Sequence, residues 1–378
     1  MHLLFLLGTT LLIRATFAQE RQLPYYVSQL VSYPFESFNG TSVVEDVVQL
    51  DELDSPKIKP QVNGTVFDSW WFDAFSSTNN ESITMVFYNA GPDSIGAPDL
   101  GGALFVDITG TFENGTEFAF HITAPDGAVV ESGTQGIRGD WIGSGCSFMG
   151  SDLHQARPEY TVSIDNAALG VSGTLKLQST SPPLAPCGAP NNPGSSLQIV
   201  PRIYEAFAQP DATAVVDFTI HGQPLQFTNG IGRHDKTWAS APLATSLKTW
   251  YWGHGRVGPY ALTWLDAVTP DGTEYSVSLI SENGEVVAQS CQPGSVVVRP
   301  WGVNGEFPPG RGRDAPEGYL LRYQMGPGRG DLVVNFTREV GQSEVDFYKR
   351  MVGKLVGGVE GEDEEVYEGR ALADQFQF

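Results

Sequence analysis

The stretch Tyr260-Ala261-Leu262-Thr263-Trp264-Leu265-Asp266-Ala267-Val268 is broken by Pro270-Asp271-Gly272, resumes as Tyr275-Ser276-Val277-Ser278-Leu279-Ile280, and ends on Glu282-Asn283-Gly284. Its side chains favour a two-residue period, and its Asp-Gly and Asn-Gly pairs tolerate the positive φ of tight hairpin turns, so it predicts antiparallel strands. The same pattern recurs outward from it, at Ile83 to Tyr88, Gly102 to Ile108, Glu117 to Ile122 ahead of Pro125-Asp126-Gly127, Tyr160 to Ile164, Val171 to Leu177 and Ala214 to Ile220. No long segment carries a 3.6-residue apolar stripe, and a short helix is expected only near Ser343 to Met351. The chain therefore reads as mainly β.

Its 378 residues suffice for about two domains. With 43 Gly, 25 Pro and only 17% charged residues, the composition suits short strands and many turns. Ser179 to Pro201, rich in Pro, Gly, Ser and Asn, is expected to be an irregular loop, either a linker or an insertion. The acidic run Glu360 to Glu365 reads as a solvated loop. A net charge of −22 repels phosphate backbones, which disfavours nucleic acid as a partner.

The apolar run Leu3 to Ile13, followed by Thr16-Phe17-Ala18, is too short for a stable membrane span and reads as a signal peptide over residues 1–18. A buried first element is the other reading. Sequons at Asn39, Asn63, Asn80, Asn114 and Asn335 fit export, so the expected localisation is the secretory pathway, secreted or in a vesicular or vacuolar lumen, with glycosylation at those residues. Three cysteines are too few for a disulfide scaffold; Cys146 with Cys187 is the pairing the flanking Gly and Pro favour.

Covalent and cofactor signatures are missing: there is no Gly-x-Ser-x-Gly, no His-Glu-x-x-His and no phosphate loop. No cofactor or metal is expected. Chemistry would rest on shape, hydrogen bonds and isolated acids or bases. Two clusters offer these. In Phe67-Asp68-Ser69-Trp70-Trp71-Phe72-Asp73, a strand puts Phe67, Ser69, Trp71 and Asp73 on one face and Asp68, Trp70 and Phe72 on the other, so one face can fill a core while its opposite lines a cavity. In Gly232-Arg233-His234-Asp235-Lys236-Thr237-Trp238, His234, Lys236 and Trp238 point one way and Asp235 and Thr237 the other; Lys248, Trp250, Trp252 and His254 align in the next segment. Both clusters equally suit core aromatics with capping carboxylates and an ion pair of Asp235 with Arg233 or Lys236.

At these clusters the sequence resembles the fungal Diels-Alderase family related to hydroxyneurosporene synthases. The matching features are Asp68-Ser69-Trp70-Trp71-Phe72-Asp73, Val200-Pro201-Arg202-Ile203-Tyr204, His234-Asp235-Lys236-Thr237-Trp238, Val257-Gly258-Pro259-Tyr260-Ala261-Leu262 and Tyr367-Glu368-Gly369. With its leader and sequons the chain looks most like the secreted tropolone-sesquiterpenoid hetero-Diels-Alderases. The resemblance implies a two-domain antiparallel architecture of lipocalin-like (calycin-type) barrel or sandwich halves, over residues 19–240 and 241–378, with a pocket between them. It also implies that the acidic C-terminal piece belongs to the fold. By position Phe67, Tyr204 and Trp238 match pocket aromatics of the decalin-forming members, and Lys236 stands where those members carry Arg.

The implied reaction is a cofactor-independent hetero-Diels-Alder addition of a tropolone quinone methide to a sesquiterpene such as humulene. Fixing two partners in a near-attack pose can supply about 7–11 kcal/mol. Phe67, Trp70, Trp71, Tyr204, Trp238 and Trp252 would hold the flat diene and the alkene. Asp68, His234 or Asp235 would assist loss of water, and Lys236 would hydrogen-bond the carbonyl. The alternatives are a secreted carrier of hydrophobic or glycan ligands, or an intramolecular decalin-forming Diels-Alderase. Asp68 and Asp73 as a glycosidase pair are disfavoured, because opposite strand faces do not flank one bond.

Overall fold

The computed structural model describes residues 28–378 apart from 47–48, 98, 189–195 and 362–364. The expected leader lies outside the described residues, as does part of the acidic run. Strands dominate, because alternating side chains and β-branched residues suit a pleated surface buried on one or both faces. Among the described residues they form a thirteen-stranded and a nine-stranded antiparallel sheet, plus a two-stranded ribbon. The fold is mainly β and lipocalin-like.

The first sheet runs from the Ser28–Tyr33 strand at one edge to Glu117–Thr123 at the other, and its last strand in sequence, Gln223–Ala239, is central. There it pairs with Phe67–Phe75 on one side and Ile203–Ile220 on the other. This sheet curls on itself. Trp141, near one end of the strand order, donates Nε1–H to the Tyr88 carbonyl near the other at 3.0 Å. The second sheet begins with Thr249–Val257, which pairs with both Tyr260–Val268 and the C-terminal strand Tyr367–Gln377. The C-terminal piece thus sits in the middle of that sheet.

The hairpin signals divide by mechanism. Asn283 (φ 52°) and Gly284 (φ 88°) close a two-residue turn between Glu274–Glu282 and Glu285–Ser290, as the Asn-Gly pair predicts. Pro125-Asp126-Gly127 does turn the chain, but the strands it joins are not neighbours: Ala128–Gly133 pairs with Ser28–Tyr33 and Gly136–Trp141. Because the sheet is curled, a short turn carries the chain from one edge to the other.

Two expectations are corrected. Ser343 to Met351 is not helical; it spans the turn between the strands Asp331–Val345 and Tyr348–Val359, whose long pairing overrides local helix preference. The disulfide joins Cys187 to Cys291, while Cys146 is a buried free thiol pushed up to about 11 by burial. Cys146 begins a strand inside the first sheet's core, whereas Cys187 lies in the loop facing the second sheet. Asn39 and Asn114 are exposed, Asn335 is exposed within its strand, and Asn63 and Asn80 are half-buried.

Candidate active site

Alternation along Phe67–Phe75 separates two environments. Trp70 and Phe72 enter the first sheet's own core with Trp141, Phe148 and Tyr160, while Phe67 belongs to the apolar cluster between the sheets together with Trp250 and Trp252. Between the sheets lies a cavity of about 1080 Å³. That is at the large end of small-molecule sites, which commonly span about 300–1,000 Å³.

Register explains its first wall. Asp235 stands opposite Trp71, Trp71 opposite Val86, Val86 opposite Asp107, and Asp107 opposite His121, so one row crosses four strand pairs on one face. A parallel row carries Glu205, Thr237, Ser69 and Tyr88. The facing wall comes from the second sheet, where Trp252 pairs with Asp374 and Asp374 with Arg350, and Trp250 pairs with Phe376 and Phe376 with Tyr348. All of these except Val86, Tyr88, Asp107 and His121 come from the centre of their sheets; every one lines the cavity.

The rings are packed and oriented. Trp71 and Trp252, from opposite walls, meet at 5.5 Å between centroids and 58°. The Arg350 guanidinium lies 4.1 Å from the Trp71 centroid. Tyr348 contacts Phe376 at 4.6 Å, and Tyr88 stacks on Phe105 at 4.7 Å. Hydrogen bonds fix the indoles: Trp252 Nε1 donates to Glu205 Oε1 at 3.1 Å, Trp250 Nε1 to Asp374 Oδ1 at 3.1 Å, and Trp71 Nε1 to Asp73 Oδ2 at 2.7 Å. His254 meets the other Asp73 oxygen at 2.8 Å.

Three carboxyl groups in this lining are buried, and burial favours the neutral acid. Asp374 is pushed up to about 6 by burial against the pull of Arg350, Tyr348 and Trp250. Asp235 is raised by burial despite its bond to Arg233 Nε. Glu205 lies well above the ordinary carboxyl range, first through burial and then through the charge of Asp235. At the rim, Asp107 accepts from His121 Nδ1 at 2.7 Å and raises the imidazole above its ordinary value. A cluster of acids held toward neutrality among aromatic faces can protonate a substrate oxygen and stabilise the cation that results.

The sequence-predicted residues are divided by the same alternation. Phe67, Trp71, Trp252 and Asp235 line the cavity. Lys236, His234, Asp68, Trp70, Tyr204 and Trp238 lie behind its wall, because even and odd positions of a strand face opposite ways. Lys236 forms a fully buried ion pair with Asp68 and sits 3.8 Å from the Trp70 ring centroid. Burial and the nearby Lys57 press its ammonium downward. His234 stacks on Phe72 at 4.1 Å and is bonded to the Trp71 carbonyl at 2.8 Å. Tyr204 stacks on Trp238, whose Nε1 donates to the Glu45 carbonyl at 3.0 Å. Asp68 and Asp73 face opposite ways, as their spacing demands.

Glu205, Asp374, Arg350, Tyr348 and Tyr88 escaped the sequence reading. Two of the five left a signal: Glu205 follows Tyr204 and so takes the other face, and Asp374 is a charge directly after the apolar run Ala371-Leu372-Ala373.

The Diels-Alderase-like family model matches residues 24–296. The chain is 66% identical to a quinolone epoxide rearrangement protein of Penicillium thymicola over 94% of its own length and 97% of that protein's. It is 52% identical to a quinolone epoxide rearrangement protein of Emericella nidulans, over 92% and 93%. A Diels-Alderase of an Acremonium species matches at 25% identity, over 59% of this chain and 55% of that one. The relatives with high identity are thus epoxide rearrangement proteins rather than tropolone-sesquiterpenoid enzymes. Among solved structures, CghA with Sch210972 superposes with a TM-score of 0.76 at 18% identity, covering 93% of this chain and 98% of that one. On the family match and these relatives, the chain belongs to the Diels-Alderase-like family.

Proposed function

We propose that this enzyme isomerises an epoxide carried on a quinolone, in the cavity between its two sheets. The observation that carries the reading is the pairing of Trp71, Trp250 and Trp252 with three buried carboxyl groups, Glu205, Asp235 and Asp374, whose protonation burial favours. Identity of 66% to a quinolone epoxide rearrangement protein supports the substrate class.

A carboxylic acid gives its proton to the epoxide oxygen, and the bond from that oxygen to the more substituted carbon breaks. This leaves a carbocation at that carbon. A neighbouring hydride or alkyl group migrates with its electron pair, the C–OH becomes C=O, and the released proton returns to the carboxylate. The sum is an isomerisation, so its balance needs no oxidant or reductant. Indole faces stabilise a cation by about 2 kcal/mol each when desolvated. Excluding water from the cation prevents diol formation.

The hetero-Diels-Alder reading uses the same cavity, since acid-assisted loss of water from a hydroxymethyl tropolone also begins with protonation of an oxygen. Two separate incubations distinguish them. A quinolin-2-one bearing a trisubstituted alkyl epoxide is offered alone, and a hydroxymethyl tropolone is offered with humulene. The proposal expects an enzyme-dependent isomer from the first and only background adduct from the second. The reverse pattern makes the chain a hetero-Diels-Alderase, and binding without product in either makes it a carrier.

A further inference from the structure

Three buried carboxyl groups face the cavity, and their oxygens are not equivalent. Asp374 has both occupied: Oδ1 accepts from Trp250 Nε1 at 3.1 Å and Oδ2 from Tyr348 Oη at 2.7 Å. Asp235 is held by the Arg233 guanidinium, which is anchored in turn on Thr263 and on the Pro210 carbonyl at 3.1 Å. This grip opposes the rise that burial otherwise gives its carboxyl. Asp235 Oδ1 and Glu205 Oε2 are both buried without a protein partner, and the donor at the other oxygen separates the two acids: a charged guanidinium for Asp235, a neutral indole for Glu205. Glu205 Oε1 accepts from Trp252 Nε1.

A carboxylate oxygen buried without a donor is costly, whereas a protonated carboxyl carries its own donor. Because Trp252 occupies Oε1 as an acceptor, the proton belongs on Oε2. Glu205 stands diagonal to Asp235 on the cavity face of neighbouring strands, Asp235 lying opposite Phe207 and Thr237 opposite Glu205.

We propose that Glu205 is the proton donor of this cavity and that Asp235 is a positioning residue whose charge keeps Glu205 protonated. The assignment rests on the epoxide reading above. The Oε2 proton passes to the epoxide oxygen as its C–O bond breaks, and the proton released when C=O forms returns to the Glu205 carboxylate, so the acid is regenerated each turnover. Burial and the Asp235 charge raise Glu205, Arg233 and the Trp252 hydrogen bond oppose the rise, and Asp374 across the cavity adds to it.

The test uses the full chain, the quinolin-2-one epoxide probe, and infrared difference spectra of wild type against Glu205→Gln at neutral pH. Glutamine keeps a carbonyl for Trp252, so thermal unfolding should be unchanged. The expected results are a protonated-carboxyl band lost in Glu205→Gln, and a kcat lowered by about 10²–10⁴-fold with KM within about twofold. Asp235→Asn should move the alkaline limb of the kcat–pH profile to lower pH. If Glu205→Gln does not fold, Glu205→Asp should keep the band while losing rate.

Absence of the band, or a Glu205→Gln rate within about threefold of wild type, overturns the donor role while leaving the epoxide reading standing. An unmoved alkaline limb in Asp235→Asn overturns the positioning role alone. A wild type inert toward the probe overturns the epoxide reading and the donor role with it, whether or not the band is present.

Discussion

Asp235 and Lys236 are neighbours in sequence, yet they face opposite sides of one strand. Asp235 lines the cavity and Lys236 is sealed against Asp68 and Trp70. The sequence shows that the two differ in face; it does not show which face meets the second sheet, because aromatics occur on both. The buried acids are similarly silent, since a carboxylate looks the same in sequence whether solvated or enclosed. They leave a signature in stability. Asp374 is raised from its ordinary value to about 6, so the folded state holds a proton that the unfolded chain has released. Its contribution is therefore present at low pH and lost as pH rises through about 6. Between about pH 5 and about pH 7.5 this amounts to about 1.4 kcal/mol. Asp374→Asn should abolish that part of the slope, so that the variant gains on wild type as pH rises; denaturant titrations with equal pH slopes would contradict the assignment.

Strands and tight turns were legible where local chemistry decides them, as at Asn283-Gly284. They were illegible where pairing decides them. Ser343 to Met351 carries charged residues that suit a helix, but the strands before and after it pair over many residues and force the turn. Likewise the loop after Val171–Ser179 is tied to the second sheet by Cys187–Cys291, a link across 104 residues that no local pattern announces. Gln289 Nε2 reinforces it by donating to the Pro186 carbonyl at 3.1 Å. A cross-link closing so long a loop removes much unfolded-state freedom, about 4–5 kcal/mol on the chain-entropy model and commonly about 2–4 kcal/mol in practice. The double variant Cys187→Ser with Cys291→Ser should lower the unfolding free energy by that order in denaturant titrations under oxidising conditions. An unchanged midpoint would show that the link does not constrain the unfolded chain.

At the scale of the molecule, two curled sheets meet so that central strands of each present aromatic and acidic side chains to a common cavity. The mainly β class and the lipocalin-like halves followed from periodicity and resemblance, and Phe67, Trp71, Trp252 and Asp235 were already in view at this wall. Asp374 and Arg350 reach the facing wall through the pairing of Thr249–Val257 with the distant C-terminal strand and of that strand with Tyr348–Val359, and Glu205 joins the first wall through the pairing of Ile203–Ile220 with Gln223–Ala239. The proposed reaction in this cavity turns an epoxide into its carbonyl isomer by acid-initiated migration. The most direct measurement is mass spectrometry of the product formed from the quinolin-2-one epoxide in ¹⁸O-labelled water. An enzyme-dependent product isomeric with the substrate is expected, its label no greater than carbonyl exchange gives the isolated isomer in the same water; a diol carrying label, or the same product at the same rate without enzyme, would rule the isomerisation out.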